Sequence, residues 1–249
     1  MSIPMNRIWS MPAFSPYFPA PPARYRDVRF QWVKFQTDAA IVDRYLPECF
    51  TPADDGECLA FGLDAGWCAN YGSFQEAGLL FKCHWGDEVG FFCPVVYLNS
   101  RGSIPAGREL YGTPKVAAEI AVTMDERVMS TEVRLAGAVV MAIRSTMQHP
   151  ATSADLPAME HAWRIKAIPR ADGKGLDVLQ LIDCAHATSD VTTHIIRKGD
   201  GVVEFAPSPI YDLSPIVPRD YRGAVYTEMD YTEGYAEIVH NFLNSSDEE

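Results

Sequence analysis

The sequence predicts an α+β protein built mostly of antiparallel β-strands. From Leu59 to Leu98, short aromatic and β-branched runs such as LAFGLDAGW and VGFFCPVVYL are separated by glycine, which is typical of strands joined by turns. The same pattern returns in STEVRLAGAVVMAIRSTMQ, whereas only TDAAIVDRYLP and EGYAEIVHNFL have helical spacing. We therefore expect a few helices flanking an extensive antiparallel sheet.

The N-terminal segment is predicted to be an extended arm over residues 1–24. Proline fixes the backbone and prevents a helix, and this segment contains Pro12, Pro16, Pro19, Pro21 and Pro22. Such an arm could wrap over the body of the protein or over a neighbouring subunit. The remainder is interpreted as a single domain over residues 25–244, because no linker separates two cores, with a frayed acidic tail at 245–249.

The first regular elements are predicted after the arm. DVRFQWVKFQTD alternates Val28, Phe30 and Trp32 with polar residues, as a half-buried strand does. TDAAIVDRYLP then has apolar residues at helical spacing until Pro47, which predicts a short helix that ends there.

Two further elements are predicted in the last third of the chain. Gly199-Asp200-Gly201 lies between two strand-like runs and predicts the turn of a β-hairpin. EGYAEIVHNFL is interpreted as a terminal helix.

Charge and composition exclude several classes of function. The net charge is -12 and the basic residues are scattered along the chain, so a nucleic acid or an anionic membrane would be repelled. No apolar run could span a bilayer, and no secretory signal is present, so the expected location is the cytoplasm. The six cysteines contain no Cys-x-x-Cys pair and are interpreted as reduced thiols.

One lysine lies in an unusual setting. In GRELYGTPKV, Lys115 follows a glycine and a proline and precedes Val116 and two alanines. A nucleophilic lysine must be neutral, which requires lowering its pKa from about 10.4 to about 7, a change of about 4.6 kcal/mol that burial can supply. On local sequence alone, a lysine that extends to solvent is the alternative interpretation.

The segment GRELYGTPK resembles the lysine motif of the acetoacetate decarboxylase family, in which Gly-Arg-Glu precedes a Pro-Lys pair. Further segments occur in the order and spacing of that family, namely MPAFSPYFP, VRFQWVKFQTD, SFQEA, VYLNSRGSIPAGRE, WRIKAIP and YDLSPIVP. The resemblance covers most of the chain. It implies a closed, bent antiparallel β-barrel or cone with flanking helices, and a homo-oligomer.

The resemblance also implies the site residues and the chemistry. Lys115 would be the Schiff-base nucleophile, Glu76 the active-site carboxylate, and Arg29 the basic residue near Glu76. The substrate would be a small keto acid. Neither a cofactor nor a metal is expected, because the iminium accepts the electrons itself. Arg108 and Glu109, with Gly107 and Gly112, are expected to fix the backbone that aims the lysine.

Three positions depart from the family pattern and are interpreted as altered pocket positions. Val116 replaces a second lysine, Gly62 replaces an acidic residue, and Thr113 replaces an aromatic one. A different substrate is therefore expected. Decarboxylation of a β-keto acid is the leading hypothesis, because Glu76 is retained. A pyruvate-type aldolase or aldolase-dehydratase using the same lysine and a non-catalytic binder of an apolar carbonyl compound are the alternatives.

Overall fold

The structure, a computed structural model, describes residues 3–243 and confirms that antiparallel strands dominate. This part of the chain has two short helices, α1 (Ala39–Asp43) and α2 (Ser103–Ala106), and α2 continues into a π-helical turn (Gly107–Tyr111). The strands are β1 (Ala23–Gln36), β2 (Thr51–Pro52), β3 (Glu57–Cys68), β4 (Phe74–Trp85), β5 (Glu88–Leu98), β6 (Lys115–Ala117), β7 (Glu119–Asp125), β8 (Val128–Leu135), β9 (Ala138–Thr146), β10 (His149–Pro150), β11 (Ala162–Pro169), β12 (Leu176–Asp183), β13 (Thr188–Gly199), β14 (Gly201–Phe205), β15 (Ala224–Glu233) and β16 (Glu237–Asn241). The predicted acidic tail at 245–249 lies outside the described residues.

Within residues 3–243 the strands form one sheet of twelve strands and one of four. The large sheet has the order β10-β13-β15-β1-β3-β4-β5-β11-β12-β16, with β2 paired to β4 and β6 paired to β5. Its pairings are antiparallel except where β5 meets β6 and β11. The small sheet has the order β14-β9-β8-β7. Neither path of paired strands returns to its first strand, so the closed barrel stays a prediction.

The main core lies between the two sheets. Val33 and Phe35 of β1 and Leu79 of β4 pack with Ile143 of β9, and all four are buried. Successive side chains of a strand point to opposite faces, so Phe30 of β1 lies on the other face of the large sheet. That second face carries the candidate site.

The first predicted strand and helix are confirmed, although the helix is shorter than expected. Asp38 caps α1, since its side chain accepts a hydrogen bond from the Ala40 amide at 2.9 Å. The helix ends at Asp43, and Tyr45, which was expected to continue it, packs against Phe81 instead. The Tyr45 hydroxyl also donates to the Asp212 carbonyl at 2.9 Å.

The arm is not extended throughout, because it contains a 3-10 turn and turns again within the proline run. Met5–Arg7 form a 3-10 turn, which ends before the first proline of the Pro12–Pro22 run. Phe18 is buried, and Trp9 contacts both Phe18 and Tyr235 edge to face. The arm therefore packs on the body of its own chain, and its contact with a neighbouring subunit stays a prediction.

The predicted hairpin at Gly199-Asp200-Gly201 is wrong. Gly199 ends β13 in the large sheet, and Gly201 begins β14 in the small one. The chain passes so close to Val33 that a Cβ on Gly201 would lie 2.6 Å from its Cγ2 atom. These glycines therefore allow the chain to pass from the large sheet to the small one.

The predicted terminal helix is also wrong, because Glu237–Asn241 form β16. This strand pairs with β12, whose other edge is paired with β11. Val239 packs against the buried cluster that contains Trp163. The free edge of β12 and this apolar contact override the helical spacing.

Within the described residues no helix is long and apolar enough to cross a membrane. All six cysteines are free thiols in the same part of the chain, as predicted.

Candidate active site

Lys115 is the first residue of β6 and follows a tight turn. The π-helical turn ends at Gly112, whose φ of +69° lies in the left-handed region that favours glycine. A Cβ on Gly112 would lie 2.6 Å from the Cα atom of Lys166 on β11. The turn then closes with a 2.7 Å hydrogen bond from the Lys115 amide to the Thr113 carbonyl. Gly112 therefore permits both the turn and its close approach to β11.

The amine of Lys115 lies inside the protein between two polar side chains. Its Nζ atom lies 3.0 Å from Glu76 Oε2 and donates to Ser103 Oγ at 2.8 Å. The side chains of Lys115 and Glu76 are only 13% and 15% exposed. A Cβ on Gly107 would lie 2.6 Å from the lysine Cε atom. Gly107 thus leaves room for a lysine that turns inward and does not extend to solvent.

A cavity of about 110 Å³ lies at the amine end of Lys115. Its ionisable lining includes Lys115, Glu76, Arg164 and Glu233, and Phe61 forms part of its apolar wall. The volume is well below the roughly 300–1,000 Å³ of a site for a drug-sized ligand. The cavity therefore suits a molecule of a few heavy atoms.

A larger open cavity of about 550 Å³ lies near Trp32. Lys198 in its lining already pairs with Asp155 at 2.6 Å. Lys34 pairs with Glu57 at 2.7 Å. These cations are matched by carboxylates of the protein, so the small cavity around Lys115 is the better candidate site.

The structure does not bring Arg29 to Glu76. Strand pairing aligns Phe30 with Leu63 and Leu63 with Glu76, whereas Arg29 is aligned with Asp64 on the opposite face of the sheet. The Arg29 Nη1 atom lies 4.0 Å from Asp64 Oδ2, and the arginine side chain is half exposed. The position expected for Arg29, beside Glu76, is therefore wrong.

Two of the three positions interpreted as pocket positions also lie on the other face. Val116, next to Lys115 on β6, packs against the core between the sheets. A Cβ on Gly62 would lie 2.7 Å from the side-chain nitrogen Nε2 of Gln31. Glycine therefore leaves room for the buried hydrogen bond that this nitrogen donates to Thr131 Oγ1. Thr113 alone of the three lines the cavity. Val116 and Gly62 therefore say little about the substrate.

Two side chains of the cavity with acidic or basic groups, Arg164 and Glu233, were not identified from the sequence. Arg164 lies on β11 in the segment WRIKAIP, where an arginine within an apolar strand was the available signal. Glu233 is the last residue of β15 and reaches the site because β15 pairs with β1, which aligns Glu233 with Ala23. No local pattern distinguishes Glu233, because only this long-range pairing places it.

Glu233 is the cavity carboxyl that burial affects most clearly. Burial raises the pKa of Glu233 above its ordinary value, although the Lys115 charge and a 3.0 Å hydrogen bond from the Tyr25 hydroxyl oppose the shift. Tyr111 supports the same strand end by donating its hydroxyl to the Gly234 carbonyl at 2.7 Å. Glu233 is thus held in place and disposed to carry a proton.

Replacing Glu233 with glutamine is expected to stabilise the protein at neutral and alkaline pH but not in acid. Because the folded-state pKa is raised, ionisation of Glu233 opposes folding once the pH exceeds the unfolded-state value of about 4.3. Glutamine does not ionise, and its carbonyl can still accept from Tyr25. Melting temperatures of the variant and the wild type should diverge as the pH rises, whereas the exposed control Glu237→Gln should show no divergence. A constant difference across pH would contradict this account.

Asp183 anchors the strand that carries Arg164. Its carboxylate accepts hydrogen bonds from the Ala162 and Ala185 amides, both at 2.9 Å, and lies 2.7 Å from His161 Nδ1. Burial raises the pKa of Asp183, but these hydrogen bonds outweigh burial and hold the pKa below its ordinary value. The ionised carboxylate therefore joins the start of β11 to the loop after β12 at the cavity wall.

Comparison with known proteins gives consistent matches over nearly the whole chain. A family model described as acetoacetate decarboxylase (ADC) matches residues 4–243. Acetoacetate decarboxylase 3 of Mesorhizobium japonicum is 24% identical over 250 aligned residues, which cover 96% of this chain and 93% of that protein. The crystal structure of an acetoacetate decarboxylase from Legionella pneumophila has a TM-score of 0.84 at 20% identity, covering 98% of this chain and 100% of that one. The enduracididine biosynthesis enzyme MppR complexed with pyruvate has a TM-score of 0.77 at 16% identity, with 94% and 98% covered. These structural similarities show a shared fold.

Proposed function

The chain belongs to the acetoacetate decarboxylase family, and we propose on that premise that it decarboxylates a small β-keto acid through a Schiff base on Lys115. As a member of this family it is a carbon–carbon lyase. The observation that carries the proposal is the inward position of the Lys115 amine, 3.0 Å from Glu76 in a cavity of about 110 Å³. Glu76 lies within reach to act as a general base toward this amine, and an amine that faces a small cavity is placed to attack the carbonyl carbon of a molecule bound there.

In the proposed reaction, the iminium formed on Lys115 is the electron acceptor. The amine adds to the ketone, water leaves, and the resulting iminium accepts the electron pair of the bond between the α-carbon and the carboxylate. Carbon dioxide is released, the enamine takes up a proton at carbon, and hydrolysis returns the free lysine. Glu76 takes the first proton from the amine or directs the substrate carboxylate by repulsion. Glu233, with its raised pKa, is the second carboxyl able to carry a proton at this site.

Phe61 is the side chain expected to limit substrate length. A Cβ on Gly78 would lie 2.6 Å from the Phe61 ring. The absence of a side chain at Gly78 therefore allows the ring to lie against the sheet. Trp32 contacts Phe61 at 5.3 Å between ring centroids, and Phe30 does so at 6.2 Å. The ring therefore separates the cavity from an apolar region occupied by these two neighbours.

Phe61→Ala is expected to shift preference toward longer β-keto acids. Removal of the ring opens apolar space next to the cavity, so kcat/KM for β-ketohexanoate should rise relative to acetoacetate by about tenfold. Phe91 belongs to the same buried cluster without lining the cavity, so Phe91→Ala should lower stability and leave the ratio unchanged. An unchanged ratio in Phe61→Ala would remove Phe61 from the specificity of this site.

The reaction is tested by borohydride reduction with acetoacetate and, separately, with pyruvate. The proposal expects a reduced adduct on Lys115 with acetoacetate, together with release of carbon dioxide in the absence of borohydride. A pyruvate adduct without carbon dioxide release would favour the aldolase alternative, for which MppR, solved with pyruvate, is a structural neighbour. Absence of an adduct with either keto acid would contradict both and leave an enzyme for a different keto acid or the non-catalytic binder.

A further inference from the structure

Arg164 has hydrogen-bonding capacity that the protein itself does not use. Its Nη1 atom donates to the Trp163 carbonyl at 2.7 Å, but its Nε atom is buried and has no hydrogen-bond partner among the described residues. A guanidinium carries five N–H donors in a fixed plane, and a buried donor without an acceptor is costly. The same side chain lines the cavity of Lys115. The Nε atom is closed off from solvent, whereas the Nη2 atom is not, and within residues 3–243 Nη2 also forms no hydrogen bond. The Nη2 donors are therefore the ones that an acceptor arriving with a ligand would meet.

The other charges of the cavity have protein partners. Lys115 and Glu76 pair with each other at 3.0 Å. Glu233 accepts the Tyr25 hydroxyl at 3.0 Å. Across the described part of the chain neither carboxylate lies within ion-pair distance of the Arg164 guanidinium, although its charge acts on Glu233 from farther away. An incoming anion would therefore find one cation of the cavity still unpaired.

The position of Arg164 also replaces a feature expected elsewhere. The family resemblance implied a basic residue next to Glu76 on β1, but Arg29 lies on the opposite face of the sheet. Arg164 brings a guanidinium to the cavity from β11 instead. A planar guanidinium matches a carboxylate with two parallel hydrogen bonds, which a lysine cannot do.

We propose that Arg164 binds the carboxylate of the keto acid, so that the cavity selects short keto acids over neutral ketones of the same length. This inference rests on the proposed function, because the carboxylate belongs to the molecule whose ketone meets Lys115. Glu76 repels the carboxylate while Arg164 attracts it, and both effects orient the substrate in the same sense. Arg164 is then a binding residue that touches the substrate.

The test separates carboxylate binding from Schiff-base formation. β-Hydroxybutyrate carries the carboxylate but no ketone, and 2-butanone carries the ketone but no carboxylate. Arg164→Gln should raise the Kd of β-hydroxybutyrate, measured by calorimetry, at least about tenfold, as expected for lost hydrogen bonds between charged groups. The same variant should leave borohydride trapping of 2-butanone on Lys115 unchanged.

Two further variants complete the design. Arg170→Gln removes an exposed arginine just beyond β11 that pairs with Asp172 at 3.1 Å, and it should change neither measurement. Arg164→Lys keeps the charge but loses the planar donors, so it should give an intermediate Kd and serves as the test if the glutamine variant does not fold.

The outcomes distinguish this proposal from the proposed function. Failure of the wild type to bind β-hydroxybutyrate, an unchanged Kd in Arg164→Gln, or an equal loss of both ligands would overturn the role of Arg164. If β-hydroxybutyrate binding depends on Arg164 while no carbonyl compound is trapped on Lys115, the role of Arg164 in anion binding stands and the Schiff-base function fails.

Discussion

Replacing Lys115 with arginine is expected to abolish turnover and leave the fold intact. A guanidinium stays protonated at any pH the protein survives and cannot attack a carbonyl. It can still lie against Glu76 and keep the charge balance of the cavity. The rate of carbon dioxide release should fall by about three orders of magnitude or more, the scale seen when a covalent nucleophile is removed, and borohydride should leave no adduct in this peptide.

Lys166 provides the matched control for this experiment. It lies on β11 beside Gly112, and burial lowers its pKa, with Glu109 opposing the shift. It is therefore the lysine most able to compete for a carbonyl compound on chemical grounds, although it does not line the cavity. Lys166→Arg should retain activity and adduct formation. Activity in Lys115→Arg, or an adduct that maps to Lys166, would overturn the assignment of the nucleophile.

Replacing Gly107 with alanine is expected to lower kcat by about a hundredfold without a comparable loss of stability. The new methyl group would lie 2.6 Å from the Lys115 Cε atom, so the lysine stem must move and carry its amine away from Glu76. Displacement of a reacting group by about 1 Å can cost a factor of about a hundred. The backbone of Gly107 has helical φ and ψ of -60° and -41°, which alanine adopts readily. Steady-state kinetics and thermal unfolding of the same preparation check both halves of the expectation.

Gly102 offers a control on the same helical segment. The nearest atom to an added Cβ there is 3.6 Å away, which is ordinary contact, and its φ is -78°. Gly102→Ala should therefore keep both activity and stability. Equal activity losses in the two variants would indicate that helix composition matters and that the space for Lys115 does not.

The parts of the fold that followed local rules were predictable. Apolar residues alternate with polar ones over much of β1, and the helical spacing that follows correctly placed α1 after it. The segment at Glu237–Asn241 was wrongly predicted as a helix. Its hydrogen bonds to the otherwise unpaired edge of β12 outweigh the preference that its helical spacing indicates. The turn at Asp200 was misjudged because two glycines next to strands indicate a turn without indicating which sheet each strand joins.

In the candidate site, too, some residues could be identified from the sequence and others only from the pairing of distant strands. Lys115 and Glu76, named from the family resemblance, meet at 3.0 Å. Arg29 was misplaced because one residue of register decides the face of a strand, so an error of a single position moves a side chain to the other side of the sheet. Glu233 could not be found from its neighbours in the chain, because it joins the cavity through the pairing of β15 with β1.

The sequence by itself determined that strands dominate, that Lys115 follows a turn requiring glycine, and that the chain resembles a family of lysine-dependent enzymes. The first two features depend on residue types and spacings within about a dozen positions, which local conformational preferences control, and the resemblance depends on the order of short motifs along the chain. Only the tertiary structure decided which face of the large sheet holds the cavity, that Val116 lies outside it, and that Arg164 lines it together with Lys115. The reason is physical: a strand offers two faces, and the pairing of strands distant in sequence selects the one on which side chains meet.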